Sequence, residues 1–220
     1  MGDSGLAGLQ NAISYRWREM ATRREFLGAG VGVGAAAWIA PSVIGLDRVA
    51  AAAPSSICEV PVVGGGGMWL DSAPTTLAEG GPLDSNTNTF VFMEAGPVLL
   101  TADLQVNRTT AGTFIGTSDP GGTIPAGTWV CSYFIHGDRL DDSGQLTGSM
   151  TFSSATILGL IYRNPELNSG SAFLESPATT YVYGPMEGGD DMSFDGGTTL
   201  RWEMNFGPHL DQIRVITSCP

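Results

Sequence analysis

Across residues Thr199–Phe206 the chain alternates with a period of two. Leu200, Trp202, Met204 and Phe206 fall on one side, and Thr199, Arg201, Glu203 and Asn205 on the other. Only an extended strand with one buried face turns that pattern into a continuous apolar surface. The same alternation recurs in Leu146, Gly148, Met150 and Phe152 against Thr147, Ser149 and Thr151. Residues 128–136 are apolar on both faces and predict a central strand. Residues 156–162 form a continuous apolar run bounded by Pro165, and residues 212–217 predict a last strand. Residues 90–93 and 98–106 predict two more, separated by 94–97. Residues 58–63 predict a short edge strand, because Pro61 is tolerated only at an edge or end.

The connections are built from turn residues, with 31 Gly and 13 Pro in 220 residues. Residues 71–89 and 116–127 have loop composition, and 164–174 predict one helical turn. The four glycines at 64–67 predict a flexible turn. They are not a phosphate loop, since no Gly-Lys-Ser/Thr ending and no helical pattern follow. Strand-length segments, Gly/Pro turns and the lack of a long helical period predict an all-β fold, an antiparallel β-sandwich of jelly-roll kind.

Ahead of these strands stands Arg23-Arg24, followed by Phe26-Leu27 and a glycine-heavy apolar run. This reads as a twin-arginine export signal. The small residues around Ala50 and Ala52 satisfy the A-x-A cleavage rule, and cleavage is expected after Ala52. The expected division is therefore a signal peptide over 1–52 and a β-sandwich domain over 53–220. Residues 26–46 have the length of a membrane span, but their glycines and Pro41 argue against a retained anchor, so no stable membrane insertion is expected after cleavage. The implied partner in transit is the twin-arginine translocase, and the implied destination is the cell surface, the periplasm or the medium. Leu6, Leu9, Ile13, Trp17 and Met20 fall at helical spacing, so the leader is read as helical, with Met20 as an alternative start.

Beyond residue 52 the chain holds 5 arginines, no lysine and 18 acids. Such a surface repels phosphate backbones and argues against nucleic acid as a partner. The three cysteines, Cys58, Cys131 and Cys219, all lie in this acidic part. Export permits disulfides. The pairing considered first joins Cys58 to Cys219, closing nearly the whole domain and leaving Cys131 as a buried odd thiol; an odd count leaves other pairings open.

Several blocks in the C-terminal half resemble a family of exported bacterial proteins of unknown function, many of which carry a PEP-CTERM sorting tail. The blocks are residues 132–138, 148–152, 157–161, 167–174 and 211–217. The resemblance covers about residues 127–217 and implies an extracellular sandwich without supplying an activity. The family's Arg-Gly-Leu-Glu block is reduced here to Glu187 after Tyr183-Gly184-Pro185-Met186. Ser218-Cys219-Pro220 carries no apolar sorting segment, so sorting by that route is not expected.

No Gly-x-Ser-x-Gly, His-Glu-x-x-His or Cys-x-x-Cys occurs, which removes the common serine hydrolase, zinc protease and thiol redox readings. His136 and His209 are the only histidines. His136 beside Gly137-Asp138 reads as a hydrogen-bonded structural residue rather than half of a catalytic pair. Two acidic turns offer oxygen ligands of the kind calcium takes: Asp138, Asp141 and Asp142, and Glu187, Asp190 and Asp191. Neither follows an EF-hand spacing, and solvated turn acids are the plainer reading. Trp69, Trp129, Tyr133, Tyr181 and Tyr183 are candidates for a sugar-stacking platform, Tyr181 and Tyr183 sharing one face; Trp129 and Trp202 read as core. Glu187 and Glu203 are the pair to test for glycosidase chemistry. The expected role is a non-enzymatic surface, structural or binding protein without a cofactor. A carbohydrate-binding module with structural calcium, holding a glycan or cell-surface polymer, comes second and a secreted hydrolase third.

Overall fold

The computed structural model describes residues 57–220 apart from Asp142 and Pro208. The export-signal residues Arg23, Arg24, Phe26 and Leu27 and the cleavage residues Ala50 and Ala52 lie outside the described residues.

The fold is an all-β sandwich. In chain order the strands are β1 (Val62–Gly65), β2 (Gly67–Trp69), β3 (Thr76–Leu77), β4 (Thr89–Leu99), β5 (Leu104–Val106), β6 (Gly112–Ile115) and β7 (Gly122–Ile124). They continue with β8 (Trp129–Gly137), β9 (Gly144–Thr151), β10 (Ile157–Ile161), β11 (Thr180–Tyr181), β12 (Asp191–Phe194), β13 (Thr199–Phe206) and β14 (Asp211–Ser218). One sheet has the order β1-β9-β13-β12-β6 and the other β10-β14-β8-β4-β2; β3 pairs with β11, and β5 with β7. Most pairs are antiparallel, but β2 runs parallel to β4 and β11 parallel to β3.

The alternation that marks β13 is realised residue by residue. Leu200, Trp202, Met204 and Phe206 are buried between the sheets, against Met150, Leu146, Tyr133, Ile135, Ile213 and Val215. β8 lies at the centre of its sheet, as its two apolar faces predict. Its second face carries Val130 and Phe134, which pack with Phe92, Ile216, Leu167 and Leu174 in a separate core. The short pairs β3/β11 and β5/β7, a π-helical turn (Glu166–Gly170) and a 3₁₀ turn (Ala172–Leu174) supply the cover over that face. The sheet containing β8 is thus buried on both sides, whereas the other keeps one side open to solvent.

Three local expectations are corrected. The glycines at 64–67 are not a flexible turn: Gly64 and Gly65 end β1, Gly67 begins β2, and the corner is tight. A Cβ on Gly66 would stand 2.6 Å from the Thr147 carbonyl oxygen and 2.8 Å from that of Thr87, so only glycine fits. Residues 94–97 do not separate two strands, because β4 runs through them with register shifts around Ala95. Finally, the strand expected over 58–63 begins only at Val62, and Cys58 and Glu59 are held by other means.

Those means are side-chain bonds. Cys58 is disulfide-bonded to Cys131, not to Cys219. Cys131 lies near the start of central strand β8, directly beneath the incoming N-terminal segment. Gly96 leaves the room: a Cβ there would meet Cys58 Sγ at 2.4 Å. The bridge spans 73 residues, worth about 4 kcal/mol in the loop-entropy account. Cys219, expected as a bridge partner, is the free thiol. Next to it, the Glu59 carboxylate accepts hydrogen bonds from Ser153 Oγ at 2.6 Å, Ser154 Oγ at 2.8 Å and the Ser154 and Ala155 N–H groups at 2.9 and 2.8 Å. Burial pushes its pKa up, but the bonds from Ser153, Ala155 and Ser154 outweigh that and hold it at about 2.

Candidate functional site

Two places on the sandwich concentrate polar chemistry: the open face of the sheet containing β13, and one end of the molecule where carboxyl groups gather.

The open face follows from the strand period. In register across β9, β13, β12 and β6 lie Ser149, Arg201, Ser193 and Thr113, and beside them Thr147, Glu203, Asp191 and Ile115. Every one of these points away from the core, because its neighbours Leu146, Met150, Leu200, Trp202, Met192 and Phe114 point inward. All of them but Ile115 border a groove of about 400 Å³ whose floor includes Gly65 and Gly148. Gly148 is small for a reason: a Cβ there would sit 2.2 Å from the Trp202 ring, which crosses beneath it to hydrogen-bond Thr89 Oγ1 at 3.1 Å. The groove therefore offers hydroxyls, one guanidinium and two carboxylates over a glycine-and-indole floor.

The acidic end is assembled from segments far apart in sequence. Asp138 follows β8, Asp211 opens β14, which pairs with it, and Asp190 precedes β12; all three are buried. Asp190 accepts from the Asn205 N–H at 2.8 Å and from the Glu187 N–H. Burial, opposed by these bonds, leaves its pKa raised. Asp138 accepts from the Gly80 N–H at 3.0 Å. Burial first, then a carboxyl-to-carboxyl hydrogen bond with Asp84, push it up to about 6. Asp211 receives no N–H or O–H donor among the described residues. Burial, with the charges of Asp190 and Glu187 facing it, pushes it up to about 9, and it hydrogen-bonds Asp190. Protonation of Asp211 relieves the repulsion between it and Asp190, which is what the raised value expresses.

The six residues considered for calcium separate here. Asp138, Glu187 and Asp190 come to this end together. Asp141 turns outward and makes a two-pronged ion pair with Arg139, at 2.9 Å to each nitrogen. Asp191 lies on the groove, and Asp142 lies outside the described residues. Nor do the gathered acids form a cage. Among the described residues, the one group of three or more ligand-bearing side chains with atoms mutually within 4.8 Å is Cys58, Cys131 and Cys219. Calcium requires six to eight converging oxygens, and no three of these described carboxyls bring their oxygens that close together. Asp84 and Asp211 were missed in sequence. The one signal was an acid immediately ahead of the strand expected over 212–217.

No family model, curated protein or solved structure matches the chain.

The aromatic candidates do not form an exposed platform. Tyr133 is fully buried, and Trp69 packs against it at 6.4 Å between ring centroids. Tyr181 and Tyr183 stack on each other at 5.7 Å and 12°, half-buried, with Tyr181 edge-on to Phe134. Their hydroxyls are engaged, Tyr183 donating to Glu175 and Tyr181 accepting from the Ser176 N–H at 3.0 Å. They serve as a wall over the second core. His136 is fully buried, 3.1 Å from Gln212 Nε2 through Nδ1, and burial lowers its pKa to about 4. Glu203 lies on the groove and Glu187 at the acidic end, so the pair considered for glycosidase chemistry is divided between the two places.

Proposed function

We propose that this chain is an exported, non-enzymatic binding protein that engages an extended, hydroxyl-rich polymer along the open face of β1, β9, β13, β12 and β6. The observation that carries the reading is the asymmetry of the sandwich. One large sheet is covered on both faces, while the other leaves a glycine-floored polar groove bordered by Ser149, Ser193, Thr147, Thr113, Arg201, Glu203 and Asp191. Hydroxyl and charged side chains spaced by strand geometry recognise sugar hydroxyls by hydrogen bonding, without a stacking ring. Catalysis is disfavoured because the acids with raised pKa values, Asp138, Asp190 and Asp211, are buried and do not line the groove.

The test is co-sedimentation of the full chain with insoluble cell-wall and capsular polysaccharides. Wild type is expected to bind at least one of them, and Arg201→Ala with Glu203→Ala to weaken that binding at least tenfold while melting unchanged. Binding that is equal in the double variant would reject the groove as the contact surface. Export is tested separately. Arg23→Lys with Arg24→Lys is expected to leave unprocessed protein in the cytoplasm, detected by fractionation and intact mass; normal processing would remove the twin-arginine route.

A further inference from the structure

The three cysteines meet at one point, at the opposite end of β8 and β14 from the buried acids. Cys131 is bonded to Cys58, and the free Cys219 thiol lies 3.2 Å from Cys131 Sγ. All three sulfurs lie within 4.8 Å of one another. No other thiol is present in the chain. We propose that this cluster is a thiol–disulfide exchange centre, in which Cys219 displaces Cys58 from Cys131 and moves the cross-link from the N-terminal segment to the end of β14.

The step balances without an external oxidant or reductant. The Cys219 thiolate attacks Cys131 Sγ, the Cys131–Cys219 bond forms, and the Cys58–Cys131 bond breaks. Cys58 leaves as a thiolate and takes up the proton that Cys219 gave to solvent. The bent arrangement of the three sulfurs requires Cys219 to swing into line. Its place just beyond the last residue of β14, outside the hydrogen-bonded ladder, supplies that freedom. The two alternative bridges close loops of 73 and 88 residues, so chain entropy barely distinguishes them. Native contacts therefore decide which bridge predominates. Cys58 does not need its bridge to stay near: Glu59 is bonded to Ser153, Ser154 and Ala155, and its carbonyl accepts from Tyr133.

Burial raises the Cys219 pKa, so exchange is slow at neutral pH and accelerates as the thiolate forms. The titratable groups beside the centre are the Tyr133 phenol, raised by burial, and the Glu59 carboxylate, held low. Neither titrates between pH 6.5 and 9, so the thiol controls the rate in that window.

The experiment follows which thiol is free in the native full chain. Samples held at pH 6.5 and pH 9 are quenched in acid, denatured, alkylated and mapped without reduction. At pH 6.5 the label is expected on Cys219; after incubation at pH 9 a second population carrying the label on Cys58 and a Cys131–Cys219 peptide is expected. The exchange is expected to run at least tenfold faster at pH 9. Cys219→Ser is expected to leave Cys58 unlabelled at both pH values. Cys58→Ser is expected to yield the Cys131–Cys219 bridge. If wild type held at pH 9 carries label on Cys219 alone, the proposal is overturned, whether or not either variant folds. Label on Cys58 in Cys219→Ser would also overturn it, by assigning the opening to another route.

Discussion

Replacing Asp211 by Asn is expected to raise the melting temperature at pH 8.5 and to flatten its dependence on pH. In the folded chain the Asp211 pKa is pushed up to about 9, against about 3.9 for an unfolded aspartate. The folded state therefore holds a proton that the unfolded state has released. That contribution is complete below about pH 4 and is lost as the pH climbs through the folded value. Asp138, pushed up to about 6, adds the same trend over a narrower range. Linkage permits at most about 1.4 kcal/mol per pH unit from one group. Wild type is accordingly expected to melt about 5–10 °C lower at pH 8.5 than at pH 6. An Asn at 211 keeps the hydrogen bond to Asp190 through its amide and needs no proton. Calorimetry across pH 5–9 checks this, and a slope equal to that of wild type would refute the raised Asp211 value. On the acid side two groups act in the other direction. Buried His136, lowered to about 4, costs stability as pH falls from about 6.5 to 4, and Glu59, lowered to about 2, does so below about pH 4.

The residues that sequence reading placed well are those whose surroundings are written locally. β13 and β9 were legible because a half-buried strand repeats every two residues. β8 was legible because nine residues without a polar face require cover on both sides. The strands that escaped, β2, β3, β6, β7 and β12 among them, are two to four residues long, so they offer no period to count. The acidic end was half legible. Asp138 and Asp190 stand in turn-like clusters, but Asp211 joins them only through the pairing of β14 with β8, a long-range register that no local pattern encodes. The disulfide failed for the same reason. Proximity of chain ends favoured Cys58 with Cys219, and the structure brings both to Cys131, so that the missing information was which of two neighbours bonds the central cysteine. The groove was present in the sequence as the polar half of each alternating strand. Its floor depends on Gly148 lying over the Trp202 ring, which is visible only once β9 and β13 are side by side.

Glu94→Gln is expected to cost about 3–5 kcal/mol. Glu94 and Arg214 form a fully buried two-pronged ion pair between β4 and β14, at 2.6 and 2.8 Å. Ser132 donates to the carboxylate at 2.8 Å, and Arg214 reaches on to the carbonyls of Leu167 and Ser171 at 3.1 and 3.3 Å. Burial acts against the guanidinium charge, and the carboxylate more than restores it, so Arg214 stays charged. Removing the carboxylate charge alone leaves that cation without a counter-ion in the second core, beside the Phe134 ring. Combining it with Arg214→Met removes the stranded charge, so the double variant is expected to lose less than the sum of the two single variants, as denaturant titration would show. A Glu94→Gln midpoint equal to wild type, or strict additivity, would mean the pair does not hold the helical turns at 166–174 onto β4 and β14. That attachment matters beyond stability. It keeps the second face of the β8 sheet covered, and so leaves the face of β9, β13 and β12 as the sheet surface available to a ligand.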